Sequence, residues 1–173
     1  MNLLSAVLTL PMAMAASAAT HYLASRAVKA VMWSVSPLST GEPQAFTYER
    51  NVYFTADAGA MQVVAAVLVA GVVVWLGGVT GWTWLTALGV LAWAGAFAFD
   101  LRRWERVAVS ANNLWFQRGL GQKVHQVAFE NIRDVHVEER DARGFTLRYG
   151  TRNRVCRLQV RMKDKRVVAL PKT

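Results

Sequence analysis

Two long runs of uncharged residues follow one another near the middle of the chain, separated by Thr80 and Gly81 alone. Residues 60–79 contain one strongly polar side chain, Gln62, and residues 82–99 contain no charge. Each run is close to the roughly 20 residues that an α-helix needs to cross a hydrocarbon layer about 30 Å thick. A chain of 173 residues is too short to bury both runs in a soluble core. The sequence therefore predicts a transmembrane helical hairpin at residues 58–100.

Charged residues are distributed very unevenly on the two sides of this hairpin. Residues 1–100 carry three Lys and Arg against four Asp and Glu, a net charge of −1, whereas residues 101–173 carry 17 against seven, a net charge of +10. Because the turn is short, both ends of the hairpin emerge on the same side, and the positive-inside rule makes that side the cytoplasm. We expect Asp57 and Asp100 to lie at this interface, near Arg102 and Arg103, and to cap and pair there.

The N-terminal segment, residues 1–33, predicts a third apolar helix. Residues 3–24 carry no Asp, Glu, Lys or Arg and are long enough to span, although Pro11 interrupts them. A third transmembrane helix with its N-terminus outside, an interfacial helix and a helix packed on a partner protein are the alternatives. A cleaved secretory signal is less consistent with the sequence, because no positive charge precedes the apolar stretch. Residues 34–57 begin with a stretch containing two prolines and a glycine and are interpreted as a linker.

Residues 101–173 alternate apolar and polar side chains between turn signals, which predicts a basic β-domain. In residues 155–162, for example, Leu158, Val160 and Met162 alternate with Arg157, Gln159 and Arg161. The fold class is then α+β, with the helices followed by an antiparallel meander folded as a sandwich or partly open barrel. Seven strands are predicted, at residues 106–110, 114–118, 123–129, 132–139, 145–149, 155–162 and 166–170.

The same region resembles a known family. Paired apolar segments followed by "RVAVSANNLWFQRGLGQKVHQVAFENIRDVHVEE" are similar to the bacterial pleckstrin-homology-like (PH-like) membrane proteins, the matching stretches being residues 112–119 and 129–137. The resemblance covers about residues 60–170 and implies a protein of the bacterial inner membrane. It also implies a C-terminal helix that closes one end of the barrel. Since three residues follow Leu170, we expect a form of this fold that lacks that helix.

No pattern typical of an enzyme is present. The sequence has no Ser/His/Asp spacing and no P-loop, and "GLGQKV" lacks the third glycine of a dinucleotide fingerprint. His125 and His136 fall on neighbouring predicted strands, but one cysteine and no clustered carboxylates give them no partners for a metal site. We therefore expect a binding protein without catalytic residues, cofactor or metal.

Four interpretations of the basic domain remain open. The first, which the PH-like resemblance favours, is docking on a partner in a larger membrane complex. The second is binding of anionic lipid headgroups, and the third and least favoured is tethering of nucleic acid. In the fourth, the basic domain is a solvated surface that only enforces the membrane topology. The candidate lipid- or partner-binding residues are Arg102, Arg103, Arg106, Arg148, Arg157 and Arg161.

An open barrel end also needs a cover for its apolar side chains. The strand faces concerned are built from Leu114, Phe116, Val135, Val137, Leu158 and Val160. We expect a partner subunit or a second copy of the chain to supply that cover. The aromatic segment at residues 47–54 is a less favoured alternative.

Overall fold

The structure, a computed structural model, describes residues 3–39, 41–55, 57–142 and 153–172. This part of the chain is α+β, with three helices and two antiparallel sheets. The helices are α1 (Leu3–Val35), α2 (Ala58–Thr80) and α3 (Thr83–Arg102). The strands are β1 (Gln44–Glu49), β2 (Glu105–Ser110), β3 (Asn113–Arg118), β4 (His125–Ala128), β5 (Ile132–Ala142), β6 (Asn153–Met162) and β7 (Val167–Lys172).

The predicted hairpin is present as α2 and α3. Within the described residues, these two helices are long and apolar enough to cross a membrane, with mean hydropathies of 2.4 and 1.5. Asp57 caps the start of α2, because its side chain accepts a hydrogen bond of 2.8 Å from the backbone N–H of Ala60. Gly81 ends α2 at a φ of 74°, a left-handed conformation that a glycine adopts without strain.

The N-terminal segment is a single helix that packs on both helices of the hairpin. Ser17 Oγ donates a 2.7 Å hydrogen bond to the Val67 carbonyl, and Trp93 Nε1 donates one of 3.3 Å to the Ser17 carbonyl. Contacts along α1 show that it runs antiparallel to α2 and parallel to α3, so its N-terminal end lies beside the Thr80–Gly81 turn. This direction is the one expected for a third span, but α1 is on average less apolar over its full length than the other two helices, and its crossing stays a prediction.

The strands form a four-stranded sheet in the order β1-β2-β3-β4 and a three-stranded sheet in the order β5-β6-β7. Val107 pairs with Phe116 in the first sheet, and Val160 pairs with Val135 and Val168 in the second. The inner faces of the two sheets meet in one hydrophobic core. Its buried members are Val107, Leu114, Phe116, Val127, Val160 and Leu170.

The structure differs from the predicted linker at residues 34–57. This segment contains β1, which pairs with β2 so that Tyr48 lies opposite Val107 and packs against the core. Six of the predicted strands are present in the described part of the chain, and the one at residues 145–149 lies outside it. The β-domain therefore begins with β1, more than 50 residues earlier than the sequence pattern places it.

Three of the six residues predicted to need a cover are covered within the chain. Leu114, Phe116 and Val160 are buried in the core between the sheets. The other three are exposed on β5 and β6, with exposed fractions of 47% for Val135, 48% for Val137 and 36% for Leu158. We call these three residues the apolar strip.

Candidate anion-binding site

A cavity of about 510 Å³ lies where the start of α2 and the end of α3 meet both sheets. These are the helix ends that are predicted to face the cytoplasm. The lining of the cavity combines residues from α2, from the chain that follows α3 and from strands of each sheet. Four arginines are among the described residues that line it, and we call it the arginine cavity. The lining residues are Arg50, Asp57, Ala58, Gly59, Arg103, Glu105, Arg118, Gln122, Arg157 and Leu170.

The four arginines come from four separate parts of the chain. Arg50 directly follows β1, and its backbone N–H extends the β1–β2 pairing by a 3.0 Å hydrogen bond to the Glu105 carbonyl. Arg103 ends α3, Arg118 ends β3, and Arg157 lies in β6. Helix packing and sheet pairing therefore bring together guanidinium groups that are up to 107 positions apart.

The two carboxylates of the lining are both near Arg50. Asp57 accepts a hydrogen bond from Arg50 Nη2, in addition to capping α2. Glu105 Oε2 lies 3.8 Å from Arg50 Nη1. Among the described residues, no carboxylate lies within 4.0 Å of the guanidinium nitrogens of Arg103, Arg118 or Arg157. Glu138, which lies opposite Arg157 across the β5–β6 pair, interacts with the Arg157 charge from a greater distance.

Weaker contacts hold two of these three guanidinium groups, those of Arg103 and Arg118, in place. Arg103 lies over the Phe99 ring, with its Cζ 4.8 Å from the ring centroid, and Arg118 Nη2 donates a 2.6 Å hydrogen bond to the Ala169 carbonyl. A Cβ atom at Gly59 would lie 2.7 Å from Arg103 Nη1, so only glycine lets Arg103 approach the first turn of α2 this closely. In the described part of the chain, the Nε atoms of Arg50 and Arg157 are buried without a hydrogen-bond partner. The arrangement is polar, positive and incompletely satisfied.

The sequence-predicted candidates are divided by the structure. Arg103 and Arg157 line the arginine cavity, whereas Arg102 and Arg161 are exposed outside it. Arg148 lies outside the described residues. Arg50 and Arg118 were not among the candidates, although the hairpin topology alone places Arg50 at the same end as Arg103.

Arg106 is the candidate that the structure removes, because it is 1% exposed. Its guanidinium contacts two indole rings that are nearly perpendicular to each other, with Cζ 5.1 Å from the centroid of Trp33 and 4.7 Å from that of Trp104. It donates hydrogen bonds to the Gln117 side chain and the Ser36 carbonyl. Burial lowers the pKa of Arg106, which the nearby Glu49 partly offsets. Arg106 therefore joins α1 to the first sheet and cannot reach a lipid surface.

A second group of polar residues lies buried where α1, α3 and the segment before α2 pack together, and we call it the bundle cluster. Its members are His21, Ser25, Lys29, Tyr53 and Asp100. Asp100 is 2% exposed and accepts hydrogen bonds from Lys29 Nζ at 3.0 Å and from Ser25 Oγ at 2.7 Å. The Tyr53 hydroxyl donates a 3.1 Å hydrogen bond to the Ala18 carbonyl and lies 2.9 Å from His21 Nδ1. Burial, followed by the charge of Asp100, raises the pKa of Tyr53 to about 12.

The pairing expected for the two interface aspartates is thus only partly found. Asp57 does cap a helix, but it pairs with Arg50. Asp100 pairs with Lys29 from α1. The sequence pattern assigned Arg102 and Arg103 to these aspartates because they are neighbours along the chain, whereas the packing of α1 on α3 supplies a nearer cation for Asp100.

His125 and His136 do not form a shared site. His125 stacks on the Phe116 ring with centroids 4.9 Å apart, and His136 is exposed on β5. Within the described residues no group of three His, Cys, Asp or Glu side chains is placed to hold a metal ion.

The chemistry available to the arginine cavity is the binding of an anion. Guanidinium groups present several N–H donors in a planar fork that matches carboxylate and phosphate oxygens. The first two residues of α2 also line the cavity, where the N–H groups of a helix start carry partial positive charge. Comparison with protein-family models, curated proteins and solved structures gives no match for this chain.

Proposed function

We propose that this chain is a non-enzymatic protein of the bacterial inner membrane whose cytoplasmic, PH-like β-domain binds anionic phospholipid headgroups in the arginine cavity. The observation that carries the proposal is that three guanidinium groups have no carboxylate of the described residues within 4.0 Å, in a cavity at the end of two apolar helices. This proposal prefers the lipid interpretation of the basic domain to docking on a protein complex.

The membrane topology follows from the hairpin and the charge distribution. Because the chain reverses at Gly81, the start of α2 and the end of α3 lie on the same side, and the segment after α3 carries the excess of basic residues. The positive-inside rule then assigns the β-domain to the cytoplasm. A meander of four strands followed by three supports the PH-like assignment.

The position of the arginine cavity suits a ligand that stays in the bilayer. Its lining includes the first residues of α2 and Arg103 at the end of α3, which are the points where the helices would leave the hydrocarbon layer. Each basic side chain near an anionic leaflet contributes on the order of 1 kcal/mol of attraction. A headgroup in the cavity would also occupy a place where the like charges of four arginines otherwise face each other.

The experiment measures thermal unfolding of the full chain, purified in a nonionic detergent, with added short-chain phosphatidylglycerol or phosphatidylcholine. Phosphatidylglycerol should stabilise the protein, by about 2.7 kcal/mol at one hundred times its dissociation constant. The double variant Arg103→Gln with Arg157→Gln should lose this stabilisation. The matched control, Arg102→Gln with Arg161→Gln, removes the same charge outside the cavity and should keep it.

Two outcomes would contradict the lipid proposal. Equal stabilisation by phosphatidylcholine would show that the lipid tail is bound without regard to headgroup charge. Equal losses in the two double variants would show attraction to the whole basic surface instead of binding in the cavity. The specific binding should also weaken when the ionic strength is raised, because salt screens the charges.

A second candidate function, self-association or docking on a partner protein, is favoured by the apolar strip. Val137 lies directly opposite Leu158 across the β5–β6 pair, and both are exposed. The double variant Val137→Asp with Leu158→Asp should reduce the molecular mass measured by light scattering if two copies meet there. An unchanged mass would exclude self-association through the apolar strip as the alternative to lipid binding.

A further inference from the structure

The charges that line the arginine cavity do not balance. Four guanidinium groups face two carboxylates, and both carboxylates are already near Arg50. The described residues of the lining therefore carry an excess of two positive charges. A ligand with a single negative charge would neutralise only half of this excess, whereas a dianion would neutralise all of it.

The donors of the cavity are also suited to several acceptor oxygens at once. Among the described residues, no carboxylate lies within 4.0 Å of the guanidinium nitrogens of Arg103, Arg118 or Arg157, and all three of these side chains line the cavity. A guanidinium group can bind two oxygens of one phosphate group. The terminal phosphate of a monoester presents three oxygens, whereas the phosphate of a diester has two oxygens that are free of ester bonds.

We infer that the arginine cavity selects a phosphate monoester dianion over a singly charged phosphodiester headgroup. This inference rests on the proposed function, since it names the ligand class of the same cavity. The same chemistry could come from a lipid with a terminal phosphate, such as phosphatidate, or from a free phosphate ion.

The test compares three probes on the full chain in nonionic detergent at matched ionic strength and pH 7.5. The probes are dihexanoyl phosphatidate, dihexanoyl phosphatidylglycerol and inorganic phosphate. Phosphatidate should bind about tenfold more tightly than phosphatidylglycerol, the ratio that corresponds to one additional charge interaction of about 1.4 kcal/mol. Inorganic phosphate should compete with phosphatidate but bind more weakly, because a lipid also gains from the bilayer-facing surface.

Lowering the pH provides an independent readout. The second ionisation of a phosphate monoester has a pKa of about 6, so the monoester loses one charge between pH 7.5 and pH 5.5, whereas a phosphodiester does not. The described residues that line the cavity include no histidine, the side chain that ordinarily titrates in this range. The preference for phosphatidate should therefore shrink severalfold at pH 5.5.

Two substitutions with matched controls locate the binding. Arg157→Gln and Arg103→Gln should each weaken phosphatidate binding by about tenfold, the loss expected for one charged contact. Arg161→Gln, on the same strand as Arg157, and Arg102→Gln, beside Arg103, should leave it within about twofold.

The outcomes separate this inference from the proposed function. Equal binding of phosphatidate and phosphatidylglycerol would overturn the monoester inference and leave lipid binding intact. Binding of neither lipid would overturn both. Inorganic phosphate that binds as tightly as phosphatidate would support the monoester inference and overturn the lipid proposal. Equal losses for Arg157→Gln and Arg161→Gln would overturn the cavity as the site.

Discussion

The bundle cluster and the arginine cavity are both built from charged residues that are distant in sequence, but their charges are satisfied in different ways. In the bundle cluster, Lys29 and Asp100 form a buried ion pair, and Ser25 donates a further hydrogen bond to the carboxylate. In the arginine cavity, no carboxylate of the described residues lies within 4.0 Å of the guanidinium nitrogens of Arg103, Arg118 or Arg157. The ion pair of the bundle cluster is made within the chain, although His21 Nε2 is buried there without a hydrogen-bond partner among the described residues. The arginine cavity is instead suited to receive an external anion.

This difference indicates which charges stabilise the fold and which are available for binding. Removing one member of a buried pair leaves the other charge without a partner in a medium of low dielectric constant. Removing one of several like charges in an open cavity relieves repulsion instead. Substitutions in the two regions should therefore change the free energy of unfolding by very different amounts.

The largest effect is expected for Asp100→Asn. Lys29 is 4% exposed and would lose its counter-charge, so the free energy of unfolding in detergent should fall by about 3–5 kcal/mol. Adding Lys29→Met should recover much of this loss, because the unpaired ammonium is removed as well. A single Asp100→Asn variant with wild-type stability would show that the pair does not hold α1 against α3.

A smaller but substantial loss is expected for Arg106→Met. This substitution removes cation–π contacts with Trp33 and Trp104 and the hydrogen bonds to Gln117 and Ser36. Together these should be worth about 2–3 kcal/mol in chemical denaturation. Arg106→Lys should not restore the stability, since an ammonium cannot reproduce the planar stacking and the several hydrogen bonds of a guanidinium. Full recovery with lysine would mean that charge alone matters at this position.

Tyr53 should give the bundle cluster a dependence on alkaline pH. Its pKa is about 12 in the folded protein, above the usual 10, so folding favours the neutral phenol. The stabilisation from this shift is present below pH 10 and is lost as the pH rises from 10 to 12. Tyr53→Phe should cost about 1 kcal/mol at neutral pH through its lost hydrogen bonds and should show less loss of stability above pH 10. Absorbance at alkaline pH should show one tyrosine of the wild type that ionises near pH 12.

The sequence patterns predict elements whose signal is local and miss contacts that depend on packing. The two apolar runs and the alternation of Leu158 and Val160 with charged neighbours predict α2, α3 and β6 within a few residues. By contrast, β1 begins immediately after a segment rich in proline and glycine, and its pairing with β2 joins residues on either side of the hairpin. No local pattern carries that information.

The same reason explains which site residues could be predicted. Arg103 and Arg157 are recognisable as basic residues near the membrane exit and on a strand face. Arg106 has the same sequence character, but the packing of α1 places Trp33 beside it and buries it. Arg50 and Arg118 become neighbours of Arg103 only when β1 joins the first sheet and β3 ends beside the helices. Charge type is thus visible in the sequence, whereas exposure and pairing are not.

The most direct test of the central claim, that the unpaired arginines of the cavity serve binding and not folding, is the free energy of unfolding of Arg157→Gln with and without anionic lipid. Without lipid, the variant should match or exceed the wild type, within about 0.5 kcal/mol. With saturating phosphatidylglycerol, the wild type should become the more stable protein by about 1 kcal/mol or more. A variant that is less stable by the same amount in both conditions would show that Arg157 supports the fold and would contradict the account.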